Sequence, residues 1–359
     1  MKSLVGARLR MSIALLACFT GSAHAQSGLT LYGLLDTGMT YISNEAGHSN
    51  VEVNGDGAAP SRVGLRGAED LGGGLSALFV LEMRPQIPTG GSLSPFWNRG
   101  SFVGLRSATW GTLTMGRQFD FMNSAMPPDS TSIIQGGAVG GYQGFSSTKP
   151  GQPAPAVDNH SGTGLYNNTV KWENTVGSWS GGLMYGFGAD NNHDSMESVY
   201  LKYVANGLQL GAGYTRDNFS TTVIANEVYS LRAVYAVGGF LFLANYAQGR
   251  ETVFAGSKAE ARPLELAVVY TLTPAISVGG GIGWARDKNR AGDSANITQP
   301  FVGGRYALSK RTFLYAVAAL NHSSNPAAIP STVGIPGGAM IVSSSASQLA
   351  LRTGIVTRF

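Results

Sequence analysis

Cysteine is all but missing: Cys18 is the only one in 359 residues, and it lies within the first 25. A chain with no other thiol has no disulfide framework and no thiol nucleophile, so its stability rests on hydrogen-bonded structure. Charge is scarce as well. Asp, Glu, Lys and Arg make up 13% of the residues, against about 25% in ordinary soluble proteins. The apolar share, 43%, is too low to offset this with an oversized core. No segment beyond residue 25 holds 18 uninterrupted apolar residues, which excludes membrane-spanning helices. Histidine beyond residue 25 is limited to His48, His160, His193 and His322. None lies in an HExxH motif or at readable spacing from a Ser and a carboxylate, so neither metal-dependent nor serine hydrolysis has a signature. No metal-ligand set or cofactor motif is present, and no Lys/Arg run would track the phosphates of a nucleic acid.

The first 25 residues form an export leader. Lys2, Arg8 and Arg10 give a basic start, Met11 to Thr20 an apolar core, and Ala23-His24-Ala25 a small-residue cleavage site after Ala25. A lipoprotein signal around Cys18 is the competing reading, and Leu16 fits that box poorly. Three of the 25 basic residues leave with the leader, so 22 face 21 acidic ones and the net charge falls from +4 to +1.

What the chain has is glycine, 50 residues, about twice the usual share, and two-residue alternation. In Ser347 to Phe359, the residues Leu349, Leu351, Thr353, Ile355, Thr357 and Phe359 share one parity, and Arg352 and Arg358 lie on the other. Successive strand side chains point to opposite faces, so one face is greasy and the other wet. Leu264, Leu266, Val268, Tyr270 and Leu272 repeat the pattern, as do Tyr229, Leu231, Ala233, Tyr235 and Val237. A surface apolar because it meets lipid, around a polar interior, accounts for both the low charge and the modest apolar content. In hydrocarbon every backbone group must be paired, which leaves a closed barrel.

Sixteen strands are predicted, at 29–43, 61–70, 75–87, 96–106, 111–119, 165–175, 179–188, 197–205, 208–218, 227–237, 240–250, 262–273, 276–287, 298–309, 311–322 and 347–359. Short links such as Asn206-Gly207, Gly238-Gly239 and Thr273-Pro274 alternate with long polar ones at 44–60, 120–164, 189–196, 219–226, 288–297 and 323–346. The expected fold is all-β: one domain, 26–359, forming a sixteen-stranded antiparallel transmembrane barrel with short periplasmic turns and long external loops. Side chains can fill a barrel of about eight strands, whereas about sixteen strands enclose water. The first strand begins almost at the mature N-terminus, leaving no separate plug domain in the sequence.

Leu31-Tyr32-Gly33-Leu34-Leu35-Asp36, the run Ser61 to Leu75 (SRVGLRGAEDLGGGL), Asn98-Arg99 with Phe102-Val103-Gly104-Leu105, Gly116-Arg117-Gln118-Phe119-Asp120 and the terminal Arg358-Phe359 resemble the Gram-negative general porins of beta-proteobacteria. The resemblance covers the first five strands and the last; the middle strands match in pattern alone. It implies a homotrimer in the bacterial outer membrane, in contact with its lipids and lipopolysaccharide. It also implies insertion by the barrel assembly machinery through a terminal strand signalled by Phe359, and passive diffusion of small hydrophilic solutes and ions. The third external loop, about 120–164, would fold inward as a constriction, with arginines on one side favouring anions.

The candidate selectivity residues are Arg62, Arg66, Arg84, Arg99 and Arg117, with Asp36, Glu82, Asp120 and Asp129. Parity turns Arg62 and Arg66 away from Val63 and Leu65, and Arg84 with Glu82 away from Ala77, Phe79 and Leu81, so these should face the lumen. An Arg on the lipid side at mid-depth would cost about 2–4 kcal/mol. Arg117 shares parity with Leu113, Met115 and Phe119, while its position immediately before the long loop matches the family's constriction motif, so it stays open between pore and subunit interface; Arg99 is equally open. Asp36 and Glu82, inward by parity, would pair with arginines and soften their field. The loop carries three aspartates, Asp120, Asp129 and Asp158, and Lys149, fewer acids than in some relatives. A substrate-selective channel for small anions or oligosaccharides is the alternative, with Phe96, Trp97, Tyr142 and Phe145 as a stacking track. An outer-membrane enzyme and a non-conducting adhesin barrel are the remaining readings.

Overall fold

In the computed structural model the described residues are 28–128, 164–188, 195–218, 223–253, 258–334 and 340–359. The leader with Ala25, Asp129 and most of the 120–164 loop lie outside them. The chain opens with β1 (Gly28–Glu45), β2 (His48–Gly55), β3 (Arg62–Gly72) and β4 (Leu75–Met83). A small pair, β5 (Pro85–Gln86) and β6 (Gly91–Ser92), precedes β7 (Gly100–Ser107) and β8 (Gly111–Phe119). After a one-turn helix, α1 (Phe121–Ser124), come β9 (Leu165–Val176), β10 (Trp179–Gly186), β11 (Met196–Ala205), β12 (Leu208–Asp217) and β13 (Val223–Val237). The wall continues with β14 (Phe240–Val253), β15 (Lys258–Thr273), β16 (Ile276–Lys288), β17 (Ser294–Ala307) and β18 (Thr312–Ser323). A second small pair, β19 (Thr332–Gly334) and β20 (Met340–Val342), leads to β21 (Ser347–Arg358).

Neighbours in sequence pair antiparallel around the wall, and β1 with β21 closes it, in register from Leu34 opposite Arg358 to Ile42 opposite Ala350. Closure leaves no edge strand, as hydrocarbon demands. β2 and β3 both lie along β1, β2 on its external half and β3 on its other half, so they are two pieces of one spanning strand and the barrel has sixteen. Among the described residues no helix is long and apolar enough to cross a membrane; the strands do the crossing.

Two expected links are corrected. The stretch 44–60, read as a long polar link, contains β2, with Val51 and Val53 outward and Asn50, Glu52 and Asn54 alternating with them. The break in this strand falls later, at 56–61. The link 323–346 likewise contains β19 and β20.

The outward face is the apolar one. On β15, Leu264, Leu266 and Val268 are exposed while Glu265 between them is 2% accessible. Aromatics edge this band: Phe240 meets Tyr270 at 4.5 Å and Trp179 meets Tyr203 at 4.9 Å near the short-turn rim, the expected interfacial girdle. Short turns use the chemistry that tight hairpins require: Asn206 and Gly207 both take positive φ, 50° and 79°, matching the twist of the flanking strands.

Candidate functional site: the inner wall

The register of β1, β3, β4 and β7 sets the basic side of the lumen. Paired residues share a face, so Arg62 opposite Leu34 and Arg66 opposite Thr30 point inward with buried Asp36, while Leu29 and Leu31 are exposed outside. Glu82, opposite both Gly64 and Gly100, joins them. The Arg66 guanidinium lies 4.9 Å above the Tyr32 ring, and the Tyr32 hydroxyl donates to Glu82 at 3.1 Å. Arg62 donates to the Pro60 carbonyl at 3.2 Å.

Arg84 and Arg99 reach the same cluster from outside regular strand. β4 ends at Met83 and β7 begins at Gly100, because Asn98 accepts from the Arg84 amide at 2.9 Å and donates to the Leu93 carbonyl at 2.7 Å, folding the link back. Arg84 pairs with Asp56 at 2.5 Å. Arg99, 8% accessible, pairs with Glu82 at 3.4 Å and covers the Phe119 ring at 5.0 Å. Arg62 and Arg66 have no carboxylate within ion-pair distance among the described residues, so the cluster is net positive.

Three sequence candidates fall elsewhere. Arg117 lies opposite Ser101 on the outward face with Met115 and Leu113, donating to the Asn98 carbonyl at 2.9 Å and to Asn167 at 2.6 Å. Of the two positions the sequence left open for it, the register gives the outward one, in agreement with its parity. Asp120 is buried and caps α1, accepting from the Asn123 amide and from Thr215 on β12, each at 3.1 Å. It anchors the loop instead of presenting charge to permeating ions. Asp36 is inward as expected but pairs with none of the four clustered arginines; it accepts from the Ala58 and Ala59 amides and, at 2.9 Å, from the Tyr315 hydroxyl. Those bonds hold the 56–61 break as a strap on the inner wall.

The described start of the third loop lies inside the barrel. Phe121 and Met122 are fully buried, Lys171 donates to the Phe119 carbonyl at 3.0 Å and to Ser124 at 2.7 Å, and Arg232 donates to the carbonyls of Pro127 and Met122 at 3.1 and 3.3 Å. Inward-facing glycines make room: a Cβ at Gly182 would strike Phe121, at Gly211 Pro127 and at Gly213 the Met122 sulfur. Toward the short-turn rim a cavity of about 390 Å³ lies under this segment, lined by Arg106, Thr112, Glu173, Tyr200 and Lys202 among others.

Sequence reasoning did not single out Arg106, Lys171 and Arg232, all inward by register, or the acids Asp217, Glu251, Glu265 and Asp287 on the inner faces of β12 and β14–β16, and it put Arg352 on the wet face without a role. Alternation alone marks them, since each lies on the parity opposite an apolar run. Phe96 and Trp97, the described part of the aromatic track, pack edge to face at 4.9 Å, with Phe96 exposed.

A family profile described as Gram-negative porin matches residues 12–326. An outer membrane porin protein of Bordetella pertussis is 31% identical over 262 residues, 64% of each chain. Outer membrane porin protein 32 of Delftia acidovorans is 30% identical over 224 residues, 60% of this chain and 62% of its own. The chain thus aligns with a little under two thirds of the length of these two relatives. The major outer membrane protein P.IB of Neisseria meningitidis serogroup B is 26% identical, over 80% of this chain and 86% of its own. The barrel superposes on a structure titled anion-selective porin from Comamonas acidovorans with a TM-score of 0.74, 23% identity and coverage of 93% and 100%. It superposes on the trimer form of OmpT from Vibrio cholerae at 0.69, with 15% identity and coverage of 93% and 99%. Such relatives set the enzyme reading aside and locate the chain in the bacterial outer membrane. With its sixteen-stranded closed wall and the profile spanning most of its length, the chain belongs to the Gram-negative porin family.

Proposed function

We propose that the mature chain, 26–359 after removal of the 1–25 leader, is one domain that forms a water-filled channel for passive diffusion of small hydrophilic solutes and ions, and that the channel prefers anions. One observation carries the preference: Arg62, Arg66, Arg84 and Arg99 converge on one inner wall, where among the described residues Glu82 and Asp56 are the acids that pair with them. Fixed positive charge along a narrow aqueous path raises local anion concentration and lowers that of cations. The acids of β12 and β14–β16 lie on other strands, so the field runs across the lumen. The Comamonas porin bears an anion-selective title, which agrees with this reading.

The OmpT trimer supports a homotrimer with one pore per subunit, and the outward apolar band supports contact with outer-membrane lipids and lipopolysaccharide. Phe359 follows β21 beside Gly33, the two exchanging backbone bonds at 3.1 Å, with its ring exposed at the rim. That position suits the assembly-signal role. Single-channel recording in planar bilayers across a salt gradient tests the function. Ohmic steps with a reversal potential on the anion side are expected; no conductance would end the channel reading, and a cation-side potential the selectivity. Saturable block by a sugar or a small carboxylate would favour the substrate-selective alternative.

A further inference from the structure

Below α1 the register of β7–β11 places three charged side chains around one cavity. Arg106 on β7, Thr112 on β8 and Glu173 on β9 lie directly opposite one another. Gly182, next in the row on β10, presents no side chain. Lys202 on β11 sits one step nearer the short-turn rim, opposite Ser180 and about 7 Å along the strand. Arg106, Glu173 and Lys202 all line the cavity of about 390 Å³, and Ser124 and Ala125 of the loop's entry segment close its upper edge.

These charges do not neutralise one another. Among the described residues none of the three has an opposite charge within ion-pair distance. Lys171, one step above Glu173, is engaged elsewhere, donating to the Phe119 carbonyl and to Ser124. Adjacent strands are about 4.8 Å apart, so the Arg106 and Glu173 backbones, with Thr112 between them, stand about 10 Å apart. Lys202 is again two strands on. The wall therefore presents a cation, an acid and a second cation at two-strand intervals. The cavity they share falls in the range of small-solute pockets, about 300–1,000 Å³. Charges held apart in this way leave each group free to pair with a solute.

We infer that Arg106, Glu173 and Lys202 bind an acidic α-amino acid, a solute whose ammonium group is flanked by two carboxylates. Arg106 takes the α-carboxylate with its guanidinium fork. Glu173 takes the ammonium, and Lys202 takes the side-chain carboxylate. The Thr112 and Ser180 hydroxyls between the charges can donate or accept as the solute requires. A neutral sugar would leave all three charges unpaired, and a plain dicarboxylate would meet Glu173 as repulsion. The inference rests on the channel reading, which gives solutes access to the cavity, and adds one solute class to it.

The probes are L-glutamate and glutarate, the same chain without the ammonium. Each is titrated into the purified barrel in detergent and read by saturation-transfer NMR, a measurement that needs no current. The wild type should bind glutamate about tenfold more tightly than glutarate. E173Q should abolish that difference, weakening glutamate by about tenfold while glutarate binds as well as before or better. R106Q/K202Q should weaken both probes; if the double variant does not fold, K202Q alone carries this arm. Equal binding of the two probes by the wild type, or undiminished glutamate binding by E173Q, overturns the proposal. A barrel that passes current in a planar bilayer but binds no glutamate overturns it while the channel reading stands. A barrel that binds glutamate as described yet passes no current supports the site and ends the channel reading.

Discussion

Asp36 and Arg352, 316 positions apart in sequence, meet across the seam that closes the barrel, and the Tyr315 hydroxyl links them. It donates to Asp36 at 2.9 Å and accepts from Arg352 at 2.8 Å, while the charged groups themselves stand 4.0 Å apart. Both side chains are fully buried. Arg352 also donates to Thr40 at 2.9 Å and to the side chain and carbonyl of Asn54, and Asp36 takes two amides of the strap. First strand, broken second strand, fifteenth and last are thus fastened at one point.

Asp36→Asn should loosen that point. It leaves a buried guanidinium without its counter-charge and weakens the strap's amide acceptor, a loss on the order of 3 kcal/mol for breaking a buried pair. Tyr315→Phe, which strips a hydrogen-bonded link and leaves both neighbours short of a partner, should cost about 1–3 kcal/mol. Urea unfolding of the refolded barrel in lipid vesicles, followed by tryptophan fluorescence, measures both. Wild-type stability for Asp36→Asn would show that the remaining bonds of Arg352 suffice.

Removing charge from the basic wall should weaken anion preference. A unit charge about 10 Å from a permeating ion in water is worth about 0.4 kcal/mol, roughly a twofold change in the ion's local concentration. Because each charge acts on anions and cations in opposite directions, Arg62→Gln with Arg66→Gln should lower the anion-to-cation permeability ratio by roughly sixteenfold at low salt. The effect should shrink as ionic strength rises and the screening length falls to about 10 Å at 0.1 M. Arg117→Gln, on the outward face, should leave the reversal potential where it was. A shift for Arg117 with none for Arg62 and Arg66 would reverse the assignment of faces.

The sixteen spanning strands were legible because lipid outside and water inside impose alternation on each of them, and because long and short links take turns. β2 escaped because it offers only Val51 and Val53 among Asn50, Glu52 and Asn54, a pattern that reads as loop until β1 is there to pair with it. The inward side of Arg62, Arg66 and Glu82 followed from parity alone. Arg117 stayed open because a motif was set against the parity of Leu113 and Met115. The Asp36–Arg352 pair has no local signature, since only closure of the barrel brings residues so distant in sequence together. Asp120 looked like a pore acid because nothing in the sequence announces that a single helical turn follows it and needs a cap.

Asp56→Asn should act in the opposite sense to the arginine variants. Asp56 holds Arg84 at 2.5 Å and accepts from the Ser61 amide at 2.6 Å. An amide there keeps an acceptor for Ser61 but leaves the Arg84 charge uncompensated at the inner wall. The reversal potential should move further to the anion side, by an amount comparable to one added charge, about fourfold in permeability ratio at low salt. A move toward cations would mean that Arg84 swings out of the lumen once released.

Arg232 tests whether the loop's entry segment sets the size of the aqueous path. Its guanidinium reaches from β13 to the carbonyls of Met122 and Pro127 and so ties the chain, just after α1, to the inner wall opposite its origin in β8. Arg232→Ala removes those donors, and the two carbonyls can then turn to lumen water instead of remaining orphaned. The segment loses an anchor while Lys171 and the Asp120 cap still hold its first turn. Larger current noise and a changed single-channel conductance are expected, with thermal stability lowered by about 1–3 kcal/mol for the lost charge-assisted bonds. Gly213→Leu should disturb the same segment from the other direction, by pushing on the Met122 sulfur. If both variants conduct with wild-type amplitude and noise, the entry segment packs against the wall without governing the flow past it.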